Sequence, residues 1–80
     1  MNNTKYEVNG YLFTVSAKQI ENGKWRPFAY FELKADFDNQ KELIQGVQHL
    51  IAAQFDNETE ALQAAYEFAL AHANSGITGL

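Results

Sequence analysis

The stretch that decides the fold is residues 11–33, YLFTVSAKQIENGKWRPFAYFEL. Two runs rich in aromatic and β-branched residues flank Asn22-Gly23, the pair preferred in a two-residue type I′ turn. The pattern predicts an antiparallel β-hairpin. If its turn holds two residues, Val15 lies opposite Tyr30, and every other cross-strand pair follows from that register.

This register gives the hairpin two faces that are both largely apolar. One face would carry Tyr11, Phe13, Val15, Ala17, Phe28 and Tyr30, and the other Leu12, Thr14, Ser16, Ile20, Trp25, Pro27, Ala29, Phe31 and Leu33. Small side chains at the middle of the second face suit the close approach of a helix, so we expect the helix there. The first face would stay exposed, and an exposed apolar patch usually marks an interface. The predicted contacts with a second copy or another protein are therefore Tyr11, Phe13, Val15, Phe28 and Tyr30.

Pro27 has no N–H, and in the predicted hairpin its nitrogen points away from the first strand. The first strand therefore loses no hydrogen bond to it. A third strand could pair with this hairpin only beyond the proline, alongside about residues 28–33. We expect a free sheet edge between Pro27 and the tip of the hairpin.

The segments on either side of the hairpin are less regular. Residues 6–8 alternate like a strand that extends or precedes the first one, and Asn9-Gly10 indicates a bend or bulge. Residues 35–40 have the composition of a polar connection.

Residues 40–55 fit two patterns. Their apolar residues suit a helix face interrupted by Gly46, which costs ~1 kcal/mol relative to alanine, and they also alternate as in a strand. We favour a short helical turn at 40–44 and a third strand at 47–55. A second full helix, giving a ββαα order, is the alternative.

The last element is a helix from Glu58 to about Ala73. Asn57 is a suitable N-cap with Glu60 at the third helical position, and Asn74-Ser75-Gly76 is a suitable stop. One stripe of this helix is small and apolar, as expected of a helix that packs on a sheet. The whole chain, 1–80, thus reads as one small α+β domain, with residues 1–5 and 77–80 as loose ends.

Composition excludes several classes of protein. The chain has no cysteine, so it offers no disulfide or thiolate site. It has a net charge of −4 and carries all six Lys and Arg residues before position 42. No stretch resembles a signal peptide or a membrane span, which favours a cytoplasmic protein.

Few residues suggest chemistry. His49 and His72 lie in different predicted elements, and neither has a ligand at a recognised metal spacing. The acid pairs 36/38 and 58/60 belong to a turn-rich loop and to a helix start, where Asp and Glu are favoured for structural reasons. We expect a noncatalytic protein with no metal and no cofactor.

Nucleic-acid binding through the hairpin is the alternative function. Aromatic side chains on a sheet can stack on unpaired bases while basic residues contact the phosphates. The predicted register weakens this hypothesis because it divides the aromatic residues between two faces and adds acids to the basic one. The basic residues concerned are Lys18, Lys24, Arg26 and Lys34.

The junction 55–62, FDNETEAL, follows a predicted hairpin and third strand and leads into a helix that starts with acids and Ala-Leu. In this order the chain resembles small bacterial HicB-like domains over about residues 11–73. The run Gly23-Lys24-Trp25 followed by Pro27 is also similar to several uncharacterised small bacterial proteins of this shape. The resemblance implies a three-stranded sheet with one covering helix and frequent dimerisation. It implies no catalytic residue.

Overall fold

Four strands form one antiparallel sheet, and a long helix packs on one of its faces. The computed structural model describes residues 5–39 and 46–80. The strands lie side by side in chain order, and the C-terminal helix covers one face, so the predicted α+β class is confirmed. The elements are β1 (Tyr6–Val8), β2 (Tyr11–Gln19), β3 (Trp25–Leu33), α1 (Lys34–Asp38), β4 (Gly46–Leu50) and α2 (Glu58–Ser75).

The type I′ turn forms at the first Asn-Gly pair of the chain. Asn9 and Gly10 have φ angles of 52° and 83°, and Val8 pairs directly with Tyr11. Positive φ at both central residues is what this turn requires, and asparagine and glycine tolerate it. The segment that we expected to be a bend or bulge is therefore a tight hairpin that adds β1 to the sheet.

The second Asn-Gly pair lies in a longer loop. The Gly23 N–H donates to the Ile20 carbonyl at 2.9 Å, the Ile20 N–H donates to the Lys24 carbonyl at 2.8 Å, and Gly23 has a φ of 81°. This is a three-residue loop, a turn followed by a left-handed glycine. Val15 consequently pairs with Ala29. The predicted pairing of Val15 with Tyr30 is wrong by one residue.

A shift of one residue moves every side chain of β3 to the opposite face. Phe13 and Phe31 are now partners on the same face, and both are fully buried. The predicted register would place them on opposite faces and leave one of them uncovered, at a cost of about 1.5–3 kcal/mol. Lengthening a loop by one residue costs far less. Burial of the two phenylalanines therefore explains the observed register.

The sheet has a covered face, which packs against α2, and an open face on the other side. The covered face includes Phe13, Val15, Pro27, Ala29 and Phe31, which are the residues that β2 and β3 bring together there. The open face carries the residues between them, with additions from β1 and β4. It consists of Glu7, Leu12, Thr14, Ser16, Lys18, Arg26, Phe28, Tyr30, Glu32, Gly46, Gln48 and Leu50.

Pro27 marks an interruption in the pairing of β3. β4 pairs with residues 28–32, beyond the proline as predicted, and the Ile51 N–H donates to the Pro27 carbonyl at 3.1 Å. The chain then bulges and returns, and Trp25 and Phe55 exchange two backbone hydrogen bonds. The expected free edge near the hairpin tip is therefore wrong. The chain after β4 bulges away only at the nitrogen of Pro27, which has no N–H to donate, and pairs with β3 again at Trp25.

The third predicted strand is real but shorter than the range 47–55, since β4 ends at Leu50. The ββαα alternative is wrong for residues 46–50, which pair with β3. The helical turn expected at 40–44 lies outside the described residues. The polar connection expected at 35–40 begins instead as α1, which is spanned by a Lys34–Asp38 ion pair of 2.6 Å.

Helix α2 begins and ends at the predicted caps. The Asn57 side chain accepts a hydrogen bond from the Glu60 N–H at 2.8 Å, and Gly76 ends the helix with a φ of 76°. The side chain of Asn9 also donates to the Ala73 carbonyl at 3.0 Å. The same carbonyl accepts from the Gly76 N–H at 3.3 Å, so the β1–β2 turn adds a second hydrogen bond at the helix end.

Alanines form the part of α2 that lies against the sheet. Ala61, Ala65, Ala69 and Ala73 are fully buried, one per helical turn. Their small side chains let the helix backbone approach Phe13, Ala29 and Phe31, while larger rings fill the space on both sides. On one side Tyr66 contacts Tyr6 and Phe13, and on the other Phe68 contacts His49 and His72.

The C-terminal residues are packed rather than loose. Thr78 is fully buried, and its carbonyl oxygen lies 2.7 Å from Nε2 of His49. The expectation of a loose end at 77–80 is wrong at this position. At the other end, Lys5 contacts Glu32, and residues 1–4 lie outside the described part of the chain. In the described ranges, no helix combines the length and apolarity needed to cross a membrane.

A candidate interaction surface on the open sheet face

The predicted interface residues do not share a face. Tyr11, Phe13 and Val15 belong to the covered face, where Phe13 is fully buried in the core with Tyr11 and Val15 packed against the same cluster. Phe28 and Tyr30 lie on the open face. The single surface expected from all five is therefore wrong, and the cause is the one-residue shift in register. The expected covering of Thr14 and Ser16 by the helix is wrong for the same reason.

The open face has its own apolar centre. Leu12, Phe28 and Tyr30 are partly exposed there, and Leu50 is 55% exposed. Phe28 pairs with Leu50 across β3 and β4, and Tyr30 lies next along the strand on the same face. The sequence pattern assigned Leu12 to the helix-covered face and Leu50 to the apolar face of the alternative helix in residues 40–55. Leu50 could be found only from the register of β4, which the ambiguous segment 40–55 did not define.

Tyr30 lies flat along β4 because Gly46 leaves room for its ring. A methyl group at position 46 would come within 1.8 Å of the Tyr30 hydroxyl oxygen and 2.1 Å of Cζ. Any side chain at position 46 would therefore force the Tyr30 ring to move. The arrangement fixes an aromatic ring against the backbone of an edge strand and holds it in the centre of the open face.

Opposite charges lie at the two ends of the open face. Lys18 and Arg26 are cross-strand partners at the hairpin end. Glu32 and Glu7 both flank Leu12 at the other end, and Glu32 forms a 2.7 Å ion pair with Lys5. The apolar centre lies between a basic end and an end with two acids.

Arg26 has an unsatisfied donor. Its Nε atom is buried and has no hydrogen-bond partner within the described residues. A buried donor without a partner is costly, and a guanidinium group is best satisfied by a carboxylate or phosphate. Lys18, the residue directly across from it, has the same charge, and like charges in directly opposite positions are unfavourable. Lys18 and Arg26 thus form a pair of like charges on the open face, which an anionic partner would stabilise.

The other predicted basic residues are engaged elsewhere. Lys24 forms an ion pair with Asp56, and this contact holds the pKa of the Asp56 carboxyl below its ordinary value of 3.8. Lys34 pairs with Asp38, which raises the lysine pKa above 10.5. Both pairs are exposed to solvent, where such contacts contribute little to stability. Of the four predicted basic residues, Lys18 and Arg26 therefore remain on the open face without an ion pair between described residues.

The histidines lie on the covered side of the sheet. His49 Nε2 contacts the Thr78 carbonyl at 2.7 Å, and His72 Nδ1 contacts the Phe68 carbonyl at 2.8 Å. Their ring centroids are 6.2 Å apart. The two rings thus pack among aromatic side chains with one nitrogen each on a carbonyl. In the described ranges, no group of three or more His, Cys, Asp or Glu residues could hold a metal ion.

A shallow groove of about 430 Å³ lies beside the first turns of α2. Phe55 and Ala64 supply apolar surface, and Glu60 and Glu67 are also among its lining residues. Its lining includes the hydroxyl of Thr59 but no histidine and no lysine. The open sheet face is the stronger candidate for a functional surface.

Comparison with protein-family models, with curated proteins and with solved structures finds no match to this chain. The resemblance to HicB-like domains stays a prediction. Function has to be argued from the geometry alone.

Proposed function

We propose that this chain is a noncatalytic interaction module that forms a homodimer through the open sheet face. The observation that carries the proposal is the apolar centre of that face, Leu12, Phe28, Tyr30 and Leu50. A small domain usually packs two layers and exposes polar residues on the outer side of its sheet. Here the outer side holds two aromatic rings and a leucine that is 55% exposed, which is typical of an interface.

A second copy fits this surface because the face carries both signs of charge. Lys18 and Arg26 of one copy can pair with Glu7 and Glu32 of a second copy, and the acids of the first copy can pair with the bases of the second. Two copies of the chain are then sufficient to satisfy both sets of charges. A two-fold interface uses the same patch on both subunits, so the patch must be complementary to itself. A partner of different sequence is the alternative, which a monomeric native chain would favour in the experiment below.

The test compares two substitutions of exposed large apolar residues. Leu50→Lys places a charge in the open face, whereas Ile77→Lys changes a residue that is 68% exposed and lies after α2. Both side chains are largely solvated in the single subunit, so neither change should unfold it. In sedimentation equilibrium, the native chain and Ile77→Lys should dimerise as concentration rises, and Leu50→Lys should stay monomeric. A native chain that is monomeric throughout would refute the homodimer.

Single-stranded nucleic acid is the second candidate, and one observation favours it. The observed register puts Lys18 on the same face as Arg26, Phe28 and Tyr30, whereas the predicted register placed Lys18 on the opposite face. Bases could stack on the two rings while the cations contact phosphates. Against it stand Glu7 and Glu32 on the same face, the ion pairs of Lys24 and Lys34, and the net charge of −4.

Binding of a fluorescent oligothymidylate at low salt tests this candidate. Nucleic-acid binding should weaken steeply with added salt and be lost in Lys18→Gln/Arg26→Gln. If the native chain does not bind at low salt, the candidate is excluded. The absence of catalysis, of a cofactor and of a metal, and a cytoplasmic location, stay predictions.

A further inference from the structure

The positions of the charges on the open face select one way of joining two copies. This inference rests on the proposed homodimer and concerns its geometry. Going from the hairpin tip, the open face has four successive levels on β2 and β3, two residues apart along each strand. The cross-strand pairs at these levels are Lys18 with Arg26, Ser16 with Phe28, Thr14 with Tyr30, and Leu12 with Glu32.

When two sheets pack with aligned strands, the two-fold axis runs either parallel to the strands or across them. An axis parallel to the strands keeps the levels and exchanges β2 with β3, so Lys18 of one copy would lie over Arg26 of the partner subunit. Like charges opposed across an interface cost several kcal/mol. An axis across the strands keeps β3 over β3 and reverses the levels, so the basic end of each copy lies over the acidic end of the other.

We propose that two copies pack open face to open face about a two-fold axis that runs across the strands. Arg26 then lies over Glu32 of the partner subunit, and Phe28 lies over Tyr30 of the partner subunit. The symmetry repeats both contacts. The strands of the two sheets run in opposite directions, with the angle of about 30° that the twist of packed sheets produces.

Arg26 is the residue that gains most from this arrangement. Arg26 is partly exposed on the open face, and the partner subunit's Glu32 would supply a carboxylate for its guanidinium at the matching level. The guanidinium would join a carboxylate that Lys5 already contacts through Oε1. A charge-assisted hydrogen bond of this kind also fixes orientation, because the donors of arginine have a defined geometry.

A second pair supports the same orientation. Lys18 on β2 would lie over Leu12 of the partner subunit, next to Glu7 of the partner subunit on β1, since Glu7 pairs with Leu12. Lys18 and Glu7 are both exposed in the single subunit. At each end of the interface, Lys18 and Arg26 would thus face two carboxylates, one of which also pairs with Lys5.

The size of the face sets the expected strength. Four strands spaced ~4.8 Å apart, with side chains from residues 12–18 at ~3.3 Å per residue, span about 15 by 20 Å. The area of such a patch is well below the ~800 Å² that each partner buries in a standard interface, even when the surface is uneven. The dimer is therefore expected to be weak and concentration-dependent, and its charge pairs should have a measurable effect on affinity.

Two charge-reversed variants test the orientation. Arg26→Glu alone faces Glu32 of its partner, and Glu32→Lys alone faces Arg26 of its partner, so each variant should dimerise ~10-fold more weakly than the native chain. A mixture of the two restores both contacts, because one contact becomes Glu with Lys and the other stays Arg with Glu. Sedimentation of the mixture, with one variant fluorescently labelled, should show a heterodimer close to native affinity.

Suppose that the native chain dimerises and Leu50→Lys does not, but the mixture associates no more tightly than either variant alone. This result would overturn the orientation and leave the proposed function standing. A native chain that never dimerises would overturn both. If Glu32→Lys fails to fold because its partner Lys5 now repels it, the exposed pair Lys18→Glu and Glu7→Lys provides the same test. Its mixture must again associate more tightly than either single variant.

Discussion

At the scale of single residues, the open face depends on a glycine. Gly46 has no positive φ that would require glycine, yet a methyl group there would overlap the Tyr30 ring. The requirement comes from a neighbouring side chain. Pattern reasoning treated Gly46 only as a weak point in a helix, because the contact exists only once β3 and β4 are in register.

Gly46→Ala should therefore destabilise the fold by about 1–3 kcal/mol, the usual cost of overpacking. The reason is a displaced Tyr30 ring rather than backbone strain. Urea denaturation measures the change. In the background Tyr30→Val the ring is gone, so the same Gly46→Ala substitution should cost much less. An equal cost in both backgrounds would contradict the proposed contact.

The Lys24–Asp56 pair makes a prediction about pH. The lysine lowers the pKa of Asp56, so the pair stabilises the fold above the ordinary carboxyl value of 3.8, and this contribution is lost as pH falls through the lower folded value. In Lys24→Gln, the Asp56 pKa measured by carboxyl NMR should rise toward 3.8. Lys34→Gln is the control, since Lys34 pairs with Asp38, and it should leave the Asp56 pKa unchanged.

At the scale of elements, α2 shows how closely a helix can pack when its inner residues are alanines. Ala69 is fully buried in the core cluster with Phe13, Ala29 and Phe31, while Ala71 is exposed on the same helix. The same substitution at the two positions changes helix propensity by a similar amount. The space available to a longer side chain differs strongly between them.

Ala69→Leu should accordingly destabilise the protein by about 1–3 kcal/mol through overpacking. The matched Ala71→Leu should change the free energy of unfolding by less than ~0.5 kcal/mol, as for most surface substitutions. Thermal unfolding followed by circular dichroism compares the two variants. Similar losses in both would mean that the alanine stripe does not set the distance between helix and sheet.

The elements also show what local patterns can and cannot predict. The caps of α2 at Asn57 and Gly76 depend on a few adjacent residues, and both were predicted from the sequence. The hairpin register does not depend on adjacent residues alone. Asn22-Gly23 suits a two-residue turn, but the burial of Phe13 with Phe31 favours a three-residue loop. Tertiary packing decides the register, and a single shift reassigns every side chain of β3.

At the scale of the whole molecule, the one-residue shift in hairpin register changes which residues form the candidate site. Two of the five predicted interface residues, Phe28 and Tyr30, lie on the open face, and Phe13 belongs to the core. An apolar centre does lie on the face away from the helix, but its composition could not be derived without the register and without β4. The same shift brings Lys18 to the face that carries Arg26, and these two residues supply the basic charges that orient the proposed dimer.

The most direct test of the central claim is an NMR dilution series of the ¹⁵N-labelled and methyl-labelled native chain, from about 1 mM down to about 20 µM, a range suited to a weak dimer. The account predicts that the chemical shifts of Leu12, Phe28, Tyr30 and Leu50 depend on concentration. The chemical shifts of Ala65, Ala69 and other residues between α2 and the sheet should stay unchanged. Spectra that do not depend on concentration, or shifts confined to α2 and the C-terminal residues, would contradict it.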